Sequence, residues 1–404
     1  MSNRNQLFLF TAKSTLIKAL VVAMGVIASV SSQAQQAESC IGASVPLTGA
    51  ASFGGEAIKM GAEIAIDEIN AKGGVLGKKL SLIAYDDSGQ PPKGVDNVRR
   101  IALSDNCIAM LGGYHSGVQL AMRDPVAQVG IPYVGTTAGA TAIIEQENGQ
   151  NKWMFRVSAK DKWVAQFLVE QAVTRSKNKK VALLYENTGW GNGGKPDVEA
   201  AMKAKGLSLV SLETFNWNDV DMTPQLLRVK DAGADTVIIW ALDREGNQIL
   251  RGMDKIGYRP ANIVSAWGLA GNLGEIAGKL SNGVLVFQTY IWTGKLDPKG
   301  EAVWKKIQSK YKLNTPQDIK MGSGIANSYD AVYILAQAIT KAGSFDRTKV
   351  RDALFQVNYD GLVAKYEPAF EKTQERQDAI LPKYYKLSAW HDGKLLPLSE
   401  TPYK

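Results

Sequence analysis

The sequence predicts an α/β protein in which two parallel, Rossmann-like sheets form two helix-covered lobes. Short apolar runs alternate with helical spacing along most of the chain, the pattern of βα units rather than of hairpins. About 370 residues follow the N-terminal leader, too many for one core and suited to two. With 45% hydrophobic and 21% charged residues the composition is that of ordinary globular protein.

Strands are expected at 41–45, 80–85, 108–112, 131–135, 181–185, 207–212, 236–240, 263–266 and 283–289. Helical spacing fills most of the intervals. Ile58, Gly61, Ala62, Ala65, Ile66 and Ile69 fall on one helical face, and Ala331, Val332, Leu335, Ala338, Ile339 and Ala342 repeat the rhythm. Internal repeats, low-complexity tracts and Pro-rich linkers are missing from the sequence, so the lobes are expected to be joined by short crossings. In such sheets ligand sites form at the carboxyl ends of strands.

Arg4, Lys13 and Lys18 are the only charges before Glu38, and the apolar run Ala19–Ala28 is followed by Ser32-Gln33-Ala34. A basic start, a short apolar core and a small-residue site predict a secretory signal over residues 1–34, with a run too short to span a membrane. The mature chain is therefore expected outside the cytoplasm. Losing the three leader cations lowers the net charge from +8 to +5. The basic Lys177-Asn178-Lys179-Lys180 precedes an apolar strand rather than lining a face, so no nucleic-acid partner is expected. Cys40 and Cys107 are the only cysteines, each just before an apolar strand. If those strands lie parallel and adjacent, both sulfurs sit at one end of the sheet, and export favours a disulfide.

Catalytic chemistry is sparse. The two histidines, His115 and His391, are far apart, and neither G-x-S-x-G nor a complete P-loop occurs. No enzyme activity, metal or cofactor is expected. Gly73–Lys79 reads as a turn between helix and strand. Asp86 and Asp87 end a strand and point to opposite sides, which suits turn and capping duties. Gly189-Trp190-Gly191-Asn192-Gly193-Gly194 matches G-x-G-x-x-G, with Glu213 ending the next strand. A nicotinamide oxidoreductase is the remote alternative this raises. Against it, Glu186-Asn187-Thr188 separate strand and glycines, Trp190 would crowd a pyrophosphate, and Pro196 is expected as the first helical residue, leaving every glycine in the loop.

Two strand ends are better supplied for binding. In Leu111-Gly112-Gly113-Tyr114-His115-Ser116-Gly117 a strand gives way to glycines and then to a helix start at Ser116. Ser116 can cap that helix, or join its amides in gripping a carboxylate. Gly135-Thr136-Thr137-Ala138-Gly139 ends the next strand with hydroxyls and bare backbone, making a small-molecule cradle.

Ser44-Val45-Pro46-Leu47-Thr48-Gly49, Phe53-Gly54, Asp67-Glu68-Ile69-Asn70, Gly73–Gly77, Tyr85-Asp86-Asp87, Leu111–Pro132 and Ser328–Val332, in this order and spacing, resemble the branched-chain (Leu/Ile/Val) amino acid-binding family of periplasmic solute-binding proteins, the type I fold. The resemblance covers nearly all of the mature chain. It implies a clamshell with three hinge crossings, near Arg156-Val157, Thr289-Tyr290 and Lys383-Tyr384. One lobe would comprise residues 35–156 and 290–383, the other 157–289 and 384–404. It also implies a monomer in the periplasm that closes on a small-molecule ligand and delivers it to the permease of an ABC importer. A ligand-sensing module for a receptor would use the same clamshell.

By this resemblance Ser116 grips the ligand's carboxylate, and the Thr136–Gly139 segment, including Thr137 and Ala138, binds carboxylate and ammonium; Tyr114 and His115, just before Ser116, are further ligand-binding candidates. Which of Thr136, Thr137 and Thr141 supplies the hydroxyl stays open. Phe53 and Trp190 correspond to aromatic rings over the ligand, one per lobe. Amino-acid binders of this type pair the ligand's ammonium with an acid from the second lobe, and here Ala266, beside Trp267, occupies that place. An unpaired buried ammonium is costly. Asp243 is then the nearest substitute carboxylate, unless it pairs with Arg244 or a lysine at the surface. Without it, the pocket suits a ligand lacking an ammonium, such as an aromatic acid, amide or heterocycle.

Overall fold

The computed structural model describes residues 38–146, 149–373 and 376–404. The proposed signal segment, residues 1–34, lies outside the described residues. Two sheets organise the chain. The first contains β1 (Glu38–Val45), β2 (Lys79–Asp86), β3 (Ala109–Gly112), β4 (Tyr133–Gly135) and β5 (Met154–Arg156), in the order β2-β1-β3-β4-β5. All its pairings are parallel. The second contains β6 (Val181–Glu186), β7 (Ser211–Phe215), β8 (Thr236–Trp240), β9 (Asn262–Ser265), β10 (Val284–Gln288), β11 (Lys386–His391) and β12 (Lys394–Pro397). Their order is β12-β11-β10-β9-β8-β6-β7. The last two strands join antiparallel, an addition that the parallel pattern did not announce.

Buried runs explain the strand register. β8 (Thr-Val-Ile-Ile-Trp) is buried at every position, as a strand covered on both faces must be. The expected strand at 207–212 is displaced to Ser211–Phe215. This is an edge strand, beside β6 alone, and its alternating Glu213-Thr214-Phe215 pattern fits a half-exposed edge better than the apolar Leu207–Val210 run before it.

Helices α1 (Ser52–Ala71), α2 (Pro91–Arg99), α3 (Ser116–Val129), α4 (Asp161–Arg175), α5 (Gly191–Ala204), α6 (Thr223–Asp231), α7 (Asp243–Lys255) and α8 (Leu273–Ala277) follow strands. They are followed by α9 (Pro298–Tyr311), α10 (Gly322–Ala342) and α11 (Arg347–Leu354). α10 packs along α1, so close that a Cβ on Gly61 would stand 2.0 Å from the Ile325 carbonyl oxygen. The chain passes between the two layers after β5, after β10 and before β11. A buried ion pair ties the first of these passages to the last: Arg156 Nε donates to Asp378 at 2.6 Å. The same guanidinium donates to the carbonyls of Gly139 and Ala140. It therefore sets the loop beyond β4 as well as the passage.

Cys40 and Cys107 are joined as a disulfide, their Cα atoms 4.7 Å apart. It lies at the amino end of β1, opposite the strand ends described below. Among the described residues no helix is long and apolar enough to cross a membrane.

Candidate functional site

The carboxyl ends of the two sheets face each other, and the loops leaving them enclose two adjacent chambers. On the first sheet, the paired aspartates after β2 act as clamps. Asp86 accepts from the Leu47 amide at 2.8 Å and from Thr48 and Ser88, fixing the loop that leads to Phe53. Asp87 is buried and accepts from Ser44 and the Gly89 amide; burial nevertheless pushes its carboxyl up to about 6.

Past β3 the chain runs through Gly113, where a Cβ would meet the Ser44 carbonyl at 2.3 Å. The Tyr114 ring meets Phe53 edge-on at 6.1 Å and His115 at 5.1 Å, and His115 meets Trp217 of the opposite lobe at 5.1 Å. Burial lowers His115 to about 4, so it stands neutral. Ser116 is not the cap of α3: His115 holds that position, and no side chain caps the helix. The Ser116 hydroxyl instead accepts from the Ala140 amide at 3.2 Å, which leaves the helix's first amides to a ligand.

The threonines after β4 are sorted by their partners. Thr136 donates to the Gly112 carbonyl at 2.7 Å, while Thr141 donates to Asp197 at 2.7 Å and accepts from the Lys162 amide. Thr137 Oγ1 alone has no partner, although the residue is only 2% exposed. Ala138 is buried and bonds Gly113 through its amide. Gly139 touches the other lobe: a Cβ there would lie 2.5 Å from Trp267 and 2.3 Å from Asp161. Asp161 is wholly buried with the Trp190 indole beside it, and burial raises its carboxyl well above the usual range.

On the second sheet the glycine loop differs from its sequence reading. Helix α5 starts at Gly191 and carries Pro196 inside it. The Thr188 hydroxyl accepts from the amides of Trp190 and Gly191 and so starts the helix before the proline. The glycines serve packing: a Cβ on Gly191 would lie 1.9 Å from the Glu186 carbonyl, and one on Gly194 2.5 Å from Trp240. That leaves no dinucleotide cradle. Glu213 bonds Arg228, away from the strand ends.

Trp190 packs on Trp240 at 5.6 Å and Trp267 on Phe287 at 5.3 Å. Ala266 is fully buried and lines neither chamber. Asp243 is no surface ion-pair partner either. It is 2% exposed and accepts from the amides of Gly271 and Leu273 at 3.1 Å. Burial pushes it up to about 7 despite those bonds.

The inner chamber is about 170 Å³ and is walled by Tyr114, Ser116, Thr137, Glu186, Trp190 and Trp267, among others. The outer chamber, about 410 Å³, is bordered by Phe53 and Asp243. His115, Trp217 and Leu242 line both. Sequence reasoning overlooked Glu186, treating it as spacing before the glycines. It is 1% exposed, accepts from Thr188 at 2.5 Å and from the Trp217 indole at 3.2 Å, and burial pushes it up to about 7. Its place at the last residue of a strand end was the available signal.

Residues 40–379 match the family described as periplasmic binding protein. A Leu/Ile/Val-binding protein homolog 7 from Brucella abortus is 28% identical over 374 residues, covering 88% of this chain and 90% of the relative. A type 1 periplasmic binding protein from Bordetella pertussis superposes with a TM-score of 0.80 at 25% identity, covering 89% of this chain and 99% of its own. The branched-chain amino acid transporter substrate binding protein LivJ from Streptococcus pneumoniae, solved with isoleucine, shares the fold. Its TM-score is 0.75 at 20% identity, with 89% of this chain and 97% of that one covered.

Proposed function

Because this chain belongs to the periplasmic binding protein family, we propose that it is the substrate-binding component of an ABC importer, capturing one small ligand between its lobes in the periplasm. The ligand would be a branched-chain, hydrophobic or aromatic amino acid, or a related amide or carboxylate. One lobe would comprise residues 35–156 with 290–383 and the other 157–289 with 384–404. As a monomer it would close on the ligand and present the closed form to a membrane permease.

One observation carries the binding reading. The inner chamber joins an uncapped helix start at Ser116 to a buried, unpartnered hydroxyl on Thr137, a donor set suited to a carboxylate, within walls of indole and phenol rings. Buried donors are rarely left unpaired without a purpose.

The test is a thermal-shift screen of refolded, ligand-free protein against amino acids, amides and aromatic acids. A true ligand at a hundred times its Kd stabilises by about 2.7 kcal/mol. If no compound of these classes shifts the transition, the reading of this cleft as a carboxylate-ligand site fails.

A further inference from the structure

We infer that Glu186 selects the ligand: the inner chamber takes a single-ring aromatic carboxylate that carries a hydroxyl or amino donor on the ring, and Glu186 reads that donor. The inference rests on the proposed role of the cleft and narrows it.

Size and walls point to one ring. The chamber of about 170 Å³ is close to the dry cavity of about 150 Å³ known to hold benzene. Tyr114, His115, Trp190, Trp217 and Trp267 contribute rings to its wall, and stacked or edge-on rings favour a flat aromatic guest.

Unpaired donors line the chamber from both lobes, Tyr114 and Thr137 from one and the Trp190 indole from the other, but its carboxylate stands on one side only. The Ser116–Thr137 side offers donors, as described. Across the chamber, Glu186 is the one carboxylate among the lining residues. Asp243 borders only the outer chamber and is held by the amides of Gly271 and Leu273, while Asp161 lies behind Gly139 rather than on the wall. Glu186 receives one hydrogen bond on each oxygen, from Thr188 and from Trp217. A carboxylate has about four acceptor sites, so each oxygen retains capacity. Among the described residues no cation pairs with it. A buried, half-satisfied acceptor without a counter-charge is completed by a donor from the ligand.

The experiment is calorimetric titration at a pH above the titration of Glu186, which burial pushes up to about 7, with benzoate, its three monohydroxy isomers, 4-aminobenzoate and leucine added to the full mature chain, to Glu186→Gln and to Glu186→Leu. Gln keeps the size of the side chain but halves its acceptors, so the inference stays testable if the Leu variant folds poorly. At least one hydroxy or amino acid should bind about tenfold or more tighter than benzoate, as a charged hydrogen bond requires. That preference, read as the ratio of each acid's affinity to benzoate's in the same protein, should shrink to about twofold in the variants. Equal binding of benzoate and all substituted acids overturns the role of Glu186, as does a preference that survives both substitutions. Leucine binding without any aromatic acid overturns the ligand class while leaving the clamshell reading intact. Failure of every compound, leucine included, counts against the inference and the reading beneath it together.

Discussion

Gly117 and Gly189 meet backbone to backbone across the cleft: a Cβ on Gly189 would stand 2.9 Å from Gly117 Cα and 3.3 Å from the Leu120 side chain. The contact is asymmetric. A Cβ on Gly117 would find nothing nearer than the Gly189 nitrogen at 3.9 Å, an ordinary packing distance. The start of α3 and the turn before α5 thus touch in this closed arrangement, and only one of the two glycines is needed for it.

Gly189→Ala should therefore weaken ligand binding, since an inserted methyl in a tight contact costs about 1–3 kcal/mol. Gly117→Ala, whose methyl meets nothing nearer than 3.9 Å across the cleft, should leave the lobe contact intact. Calorimetry compares the affinities, and small-angle scattering of the liganded proteins should show a larger radius for Gly189→Ala alone. Equal radii of the two liganded variants would remove this contact from closure.

Thr136→Val and Thr137→Val should separate fold from binding. The Thr136 hydroxyl holds the Gly112 carbonyl, so its loss should cost about 1 kcal/mol of stability. Thr137 Oγ1 has no protein partner, so Thr137→Val should leave the unliganded melting temperature close to the parent's. Its ligand affinity should fall by about 1.5–3 kcal/mol, as for a hydrogen bond to a charged group, and Ser116→Ala should act in the same range. Denaturation and titration on the same samples check both.

Stability should decrease as pH rises from about 4 to about 7. Burial lifts Asp87 to about 6 and Glu186, Asp243 and Asp330 to about 7, so in this window the folded chain holds protons that the unfolded chain has released. More protons on the folded state means that raising the pH favours unfolding. His115, lowered to about 4, works in the opposite direction but is a single group. Melting temperatures across this range should decline by several degrees, and a rising curve would contradict the protonated state of these acids.

Replacing Cys40 and Cys107 together by serine should lower stability by about 2–4 kcal/mol, since the bridge closes a span of 67 residues. Ligand affinity should hold, because the bridge sits at the far end of β1 from the chambers. A loss of affinity equal to the loss of stability would show that the first sheet transmits strain to its carboxyl edge.

Most strands were readable because they are buried on both faces and so appear as unbroken apolar runs, as in Val181–Glu186 and Val284–Gln288. Edge elements were not. β7 is shifted from the expected 207–212 to Ser211–Phe215, and β11 and β12 pair antiparallel, since their placement depends on neighbours distant in sequence. At the site, residue types and loops were legible but partners were not. Nothing local distinguishes Thr136 from Thr137, whose hydroxyls differ only in whether the Gly112 carbonyl is within reach. Asp243 and Glu186 exchanged expected roles for a similar reason: the amides of Gly271 and Leu273 that occupy Asp243 lie about thirty positions away and leave no local mark.

The interleaving of the chain has a consequence for its synthesis. The Tyr329 hydroxyl reaches Glu68 across 261 positions, and the second sheet receives β11 only near the C-terminus. The first half waits for α10, and the second for β11 and β12, so neither is complete when its first strands leave the ribosome. Contacts of such long range also make the final assembly slow. A truncation that removes β11 and β12 should leave the second sheet without its antiparallel edge while the first sheet keeps all its strands.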